Sequence, residues 1–222
     1  MKVIITGSTG MIGKGVLLEC LDSSEVEAVL VVNRRSVGID HPKLKEIIHK
    51  DFFDISPIKA NLMGYDACFF CMGMSAAGVS NETYYRITHD LTIHWAETLL
   101  KLSPEMTFNY VSGEGTSTAE KSRSNWANVK GKTENEILAM AFKNKYMFRP
   151  GAIQPLRGIR SATAMYNIAI TIFKPFFFIM KRFFPDSITD TTKIGHAMIK
   201  SHKLGFEKSH LHTKDINLLA AR

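Results

Sequence analysis

Three glycines, Gly7, Gly10 and Gly13, stand in the run TGSTGMIGKG directly behind the apolar stretch VII. Spaced G-x-x-G-x-x-G where a strand should turn into a helix, they suit a loop that cradles a pyrophosphate. Gly7 allows the tight turn, Gly10 lets the backbone approach the anion, and Gly13 lets the helix pack close to the strand. Ser8, Thr9, Met11 and Ile12 fill the spaces and belong to the same candidate cradle. About 20 residues on, a site selecting NAD would carry an Asp or Glu to bind the ribose 2′-hydroxyl. Here the sequence reads Asn33-Arg34-Arg35. With no carboxylate to repel a 2′-phosphate and two guanidinium groups to pair with it, the pattern predicts NADP(H) in preference to NAD(H).

A second reactive position is Lys130, in the stretch SNWANVKGKTENEILAMAF. At helical spacing, positions 126, 130, 133, 137 and 141 share one face, so the lysine interrupts a largely apolar stripe with Trp126, Ile137 and Ala141. A lysine aimed at a sheet needs an anionic or hydroxyl partner, which a cofactor ribose would supply. Other signals carry less. Cys68 and Cys71 form C-x-x-C inside a strand, where residues three apart face opposite ways, so the sulfurs should not meet. His210 and His212 read as part of a solvated tail, and His89 and His94 have poor spacing for shared ligation. No metal site is expected.

The elements that must position these groups follow from periodicity. Short apolar runs at 2–6, 27–33, 45–49, 66–71, 107–112 and 145–149 alternate with amphipathic stretches at 11–21, 81–102 and 124–143 and a short helix near Ile58. This is the α/β pattern of parallel strands joined by crossover helices. Near-continuous apolar strands such as AVLVV and ACFFC imply a sheet covered on both faces, a Rossmann-like doubly wound fold. Past Arg149-Pro150-Gly151 the alternation stops, which predicts a small, mostly helical extension over 151–222 on a single 1–222 domain. It contains a Phe-, Ile- and Met-rich segment from 162 to 184, a helix over 191–202, and a tail ending INLLAA that packs on the core.

The most apolar part of that segment, IAITIFKPFFFIM, is broken by Lys174-Pro175 and is too short to span a bilayer. It can line a pocket for a hydrophobic small molecule, form a homodimer contact, or lie on a membrane surface with Lys174, Lys181 and Arg182 at the headgroups. At 222 residues, one domain is the natural size. The net charge of +7 suggests an anionic ligand. Its basic residues are scattered without a run of five, so nucleic acid is not an expected partner. The apolar start MKVIITG is too short for a signal-peptide core, and three cysteines make no disulfide framework, so a cytoplasmic protein, peripheral to a membrane if the Phe-rich segment binds lipid, is expected.

The glycine loop, Asn33-Arg34-Arg35, HKDFFD after the third strand and YVSGEG after the fifth together resemble the short-chain dehydrogenase/reductase superfamily. Within it the chain looks like the small atypical NAD(P)H-binding, epimerase/dehydratase-like members, over roughly residues 1 to 155. That resemblance implies that Asp51 and Phe52 border the adenine and that Cys71, Met72 and Gly73 line the adenosine and pyrophosphate end. It also implies that Ser112 stands at the strand-end serine position and that Lys130 binds the nicotinamide ribose. The family's tyrosine, four residues before that lysine, is Trp126 in this chain. An indole N–H donates a hydrogen bond but exchanges no proton near neutral pH. Two expectations follow: a reductase of small hydrophobic carbonyl compounds using Ser112 and water as proton source, or a non-catalytic NADPH sensor or scaffold that presents its C-terminal segment to a protein partner or a membrane surface. Thr116, Tyr84, Tyr85 and Tyr166 are further hydroxyl donors that the sequence does not place.

Overall fold

A computed structural model describes residues 1–159, 183 and 185–222. The chain opens with β1 (Lys2–Thr6), α1 (Met11–Asp22), β2 (Ala28–Asn33), β3 (Leu44–Ile48) and β4 (Ala67–Phe70). A helical stretch follows, comprising α2 (Asn81–Tyr85), a π-helical turn at Arg86–Asp90 and α3 (Leu91–Leu102). Next come β5 (Thr107–Val111), α4 (Asn125–Ala139), β6 (Asn144–Arg149) and β7 (Ala152–Gln154). The chain ends with β8 (Ile188–Asp190), α5 (Thr191–Leu204), β9 (His210–His212) and α6 (Thr213–Ala221).

Seven strands pair in the order β3-β2-β1-β4-β5-β6-β9, all parallel. The expected Rossmann-like doubly wound α/β fold is therefore present, with its reversal of strand order between β1 and β4. The sequence explains the sheet. Ile4 and Ile5, or Phe69 and Phe70, are consecutive and fully buried because each neighbour meets a helical layer on its own face. Val3, Ile5 and Phe69 pack with Val16 and Leu17 of α1 and with Ile194 and Met198 of α5. Ile4, Cys68 and Phe70 pack on the other side with Trp95 of α3 and Ile137 of α4. At about 1.5–3 kcal/mol for each large apolar side chain, these two layers supply the main drive to fold. Cys68 and Cys71 lie against opposite layers, as their spacing predicts.

Several boundaries differ from the expected ones. The helix expected over 81–102 contains the π-helical turn, which changes the phase of its faces. The helix expected over 124–143 stops at Ala139, so Ala141 does not extend its stripe. Phe142 instead turns into the core and stacks on Phe108 at 5.0 Å between centroids. His210 and His212 are not a solvated tail. They flank the fully buried Leu211 in β9, which pairs with β6 from Met147 to Arg149. The alternation HLH was the signal, hidden by its length of three residues. Helices dominate the described part of the C-terminal stretch, yet this strand completes the main sheet, and Ile216 and Leu219 of α6 bury against it. The Phe-rich segment, with the pocket, dimer and membrane contacts expected of it, and Tyr166 lie outside the described residues except for Phe183, which is exposed. Among the described residues, no helix is long and apolar enough to cross a membrane.

Candidate functional site

The glycine loop sits at the switch point, at the carboxyl ends of β1 and β4. Gly7 has φ +69°, and a Cβ there would lie 2.7 Å from the Cys71 carbonyl oxygen and the Met72 nitrogen. A Cβ on Gly13 would come within 2.2 Å of the Gly7 oxygen. Both positions therefore require glycine, one for the turn and one for the approach of α1 to the strand. Gly10 caps α1, whose first turn holds no acidic residue, so its free N–H groups present only positive potential to an anion. Ser8 is buried and donates from its hydroxyl to Asn33 Oδ1 at 3.0 Å, tying the loop to the end of β2. Met11 and Ile12, partly buried in the first turn of α1, pack their side chains against the core.

From this loop a groove runs along the carboxyl edge of the sheet as three successive clefts. The first, about 220 Å³, is lined by Gly7, Thr9, Gly10, Asn33, Arg34, Arg35, Cys71 and Gly73. It shares Arg34, Phe52, Met72 and Gly73 with a second of about 320 Å³, walled also by Asp51, Phe53, Ile87 and Leu91. Met74 joins this to a third cleft of about 540 Å³, where Tyr84, Gly113, Glu114, Trp126, Lys130 and Pro150 meet. Phe52 is held in place by stacking on Trp95 at 5.6 Å, while its carbonyl accepts the Trp95 indole N–H at 2.9 Å. The Arg86 guanidinium lies 4.7 Å over the Phe53 ring. Burial pushes the Cys71 thiol up to about 12, so it lines the groove as a neutral group.

At the far end, Lys130 is partly buried and its Nζ donates to the Ser112 carbonyl. Burial lowers its pKa from 10.5 to about 8, opposed by the charge of Glu134. The Ser112 hydroxyl donates to Glu134 and, at 3.2 Å, to the Phe148 carbonyl. It points behind the sheet end, and Ser112 does not line the third cleft. Glu134 is fully buried and takes Arg149 in a two-pronged pair, Nε to Oε1 at 3.0 Å and Nη2 to Oε2. His210 Nε2 lies 3.5 Å from the same carboxylate. The sequence reading missed this cluster. Its signal was a glutamate one turn beyond Lys130 and an arginine directly after the apolar run Tyr146-Met147-Phe148. Tyr84 enters the third cleft with Lys130, whereas Thr116 spends its hydroxyl on the Gly113 carbonyl at 2.8 Å. Among the described residues, no cluster of three or more His, Cys, Asp or Glu could hold a metal.

A glycine loop at the strand-order reversal, opening into a long groove with two arginines at the end of β2, defines a dinucleotide-binding protein of the Rossmann class. The dinucleotide fits what is present: backbone N–H groups at one end, an aromatic cleft beside them, and a cation at the other end. The chain belongs to the NAD-dependent epimerase/dehydratase family, whose model matches residues 3–138. That family is NAD(P)-binding and of the short-chain dehydrogenase/reductase type, as the glycine loop and the strand ends suggested.

Protein HTATIP2 of Rattus norvegicus is 27% identical over 155 residues, covering 68% of this chain and 62% of its own length. The chain thus spans less than two thirds of that relative. Protein FMP52, mitochondrial, of Debaryomyces hansenii is 30% identical over 155 residues, with 69% and 67% covered. Among solved structures, Pal from Bacillus thuringiensis superposes with a TM-score of 0.70 at 14% identity, covering 100% of this chain and 83% of its own. The Bordetella bronchiseptica enzyme WbmF in complex with NAD+ gives 0.69 at 13%, with 98% and 76% covered. At these identities the likeness is one of fold. The mitochondrial name of the fungal relatives overturns the expectation of a cytoplasmic protein. A short apolar start that forms β1 argues only against a secretory core and does not select a compartment.

Proposed function

We propose that this protein is an NADP(H)-dependent reductase of hydrophobic carbonyl compounds. The observation that carries the reading is the Arg34–Arg35 pair, exposed in the first cleft with no carboxylate lining that cleft. Glu46 of β3, bound to Asn33 at the end of β2, is already engaged. It accepts from Asn33 Nδ2 at 3.0 Å, from the Ser36 hydroxyl and from the Val37 N–H at 2.9 Å. Burial pushes its pKa up, but those hydrogen bonds outweigh burial and hold it below the usual range. A 2′-phosphate at this place meets two guanidinium groups. A dinucleotide held there would supply two electrons and a hydrogen to a carbonyl carbon. The chain's own work is to hold the phosphates at the start of α1, to offer the Lys130 ammonium to a ribose hydroxyl, and to exclude water with Met74, Trp126 and Pro150. Those apolar walls favour a hydrophobic substrate.

The test is a titration of NADPH and NADH, separately, against tryptophan fluorescence, on the wild type and on Arg34→Ala/Arg35→Ala. NADPH should bind at least tenfold tighter, about 1.4 kcal/mol, and the double variant should lose that preference. Equal affinities would end the NADP(H) assignment. A second reading, a dinucleotide sensor without turnover, is favoured by Trp126 in the third cleft. It requires that the wild type oxidise no NADPH with a panel of aldehydes and ketones, and that a partner or lipid bind only with nucleotide present.

A further inference from the structure

Lys130 stands in the third cleft without a counter-ion among the described residues. One of its three N–H groups goes to the Ser112 carbonyl, leaving two for whatever enters. The groups around it explain why. On its own helix, Glu134 turns its carboxylate to Arg149 of β6 and to the Ser112 hydroxyl, with His210 of β9 behind. After β5, Glu114 pairs with His212 at 2.9 Å. From α2, Tyr84 reaches the same cleft, but burial raises its pKa; Tyr110 of β5 is buried and shifted the same way. Trp126 has no proton to exchange, and the Ser112 hydroxyl is already donated.

We propose that Lys130 itself delivers the proton to the oxygen of the bound carbonyl compound. This inference rests on the reductase reading above. As the carbonyl carbon accepts two electrons and a hydrogen from the dinucleotide, the C=O π pair moves onto oxygen. The Lys130 N–H bond breaks and an O–H bond forms. The neutral amine then takes a proton from water, to which its partly exposed side chain has access. An amine that titrates near 8 gives up a proton more readily than an ordinary lysine and is still mostly protonated at pH 7.

The first experiment uses the nucleotide-free protein: the rate of acetylation of each lysine by acetic anhydride, followed by mass spectrometry across pH 6 to 11. Lys130 should show a midpoint near 8; a midpoint shared with the exposed lysines would overturn the proposal. The second compares the wild type, Lys130→Arg and Lys130→Ala for nucleotide affinity and for NADPH oxidation with a carbonyl panel. Lys130→Arg keeps a cation for the ribose hydroxyl, and at saturating NADPH it should still lose roughly 10²–10⁴ in rate. The wild-type rate of reduction should fall about tenfold per pH unit above 8, a break absent from the arginine variant. Small primary amines should restore Lys130→Ala in an order set by their own pKa values.

Survival of turnover in Lys130→Ala overturns the proposal alone. So does a Lys130→Arg rate that matches the wild type at saturating NADPH, because the lysine would then only hold the cofactor. A wild type that binds NADPH and reduces no carbonyl compound overturns the reductase reading, and the proposal with it.

Discussion

Replacing Glu134 by Gln removes one charge and almost no volume, so it isolates the electrostatics of the cluster behind Lys130. Glu134 is wholly buried and the Arg149 side chain is 10% exposed. The variant leaves a guanidinium in the interior with a neutral amide opposite it. Breaking a buried pair by neutralising one partner costs about 3–5 kcal/mol. The Ser112 hydroxyl keeps an acceptor in the glutamine oxygen, which places the loss at about 3 kcal/mol. For a chain of this length that corresponds to a fall in Tm of roughly 6–12 °C. Urea and thermal unfolding followed by circular dichroism measure it. A companion, Glu134→Leu/Arg149→Met, takes both charges out together and should recover to within about 1 kcal/mol of the wild type. The argument fails if Glu134→Gln loses less than about 1 kcal/mol, or if the double variant is no better than the single one. Glu134 also raises the pKa of Lys130, so Glu134→Gln should move the Lys130 acetylation midpoint below that of the wild type.

Three further outcomes follow from the same structure. Gly13→Ala drives a Cβ to within 2.2 Å of the Gly7 oxygen, so α1 must shift from the loop, and nucleotide affinity should fall at least tenfold by fluorescence titration. Burial lowers the Lys130 pKa from 10.5 to about 8, so the unfolded chain binds more protons between those values and the wild type gains stability as pH rises through that window. Lys130→Met should therefore be more stable than the wild type at pH 7, with the gap narrowing by pH 10 in urea titrations. His202, with Nδ1 3.0 Å from the Thr107 hydroxyl, has its pKa lowered mainly by burial. Stability present above about 6.5 is then lost as pH falls toward the folded value, and His202→Gln should flatten the acid limb of a Tm-against-pH curve.

How far the sequence could be read depended on the range of the interactions. The glycine loop was legible because its chemistry is local: a positive φ at Gly7 and the close packing of Gly13 on Gly7 are settled within seven residues. The sheet was legible because fully buried parallel strands leave continuous apolar runs, and the six expected strands all form with boundaries within a residue or two. The ninth strand was not, since three residues of alternation in HLH acquire meaning only from β6, some sixty positions earlier. The same holds for the π-helical turn, which no residue at Arg86–Asp90 announces.

The candidate site divides along the same line. Periodicity placed Lys130 toward the sheet, and position in the helix placed Trp126 beside it. Their partners depend on where separate strands end. Glu134 and Arg149 are fifteen residues apart in sequence and meet only because β6 lies next to β5 and α4 covers both. That pair is also what frees Lys130. Glu134 is bound twice by Arg149 instead of pairing with the ammonium, and burial lowers the pKa of the lysine that stays in the cleft. The departure from the family's tyrosine and the buried Glu134–Arg149 pair thus act on the same atom. The first removes a proton donor from the cleft, and the second keeps the Lys130 ammonium available to take its place.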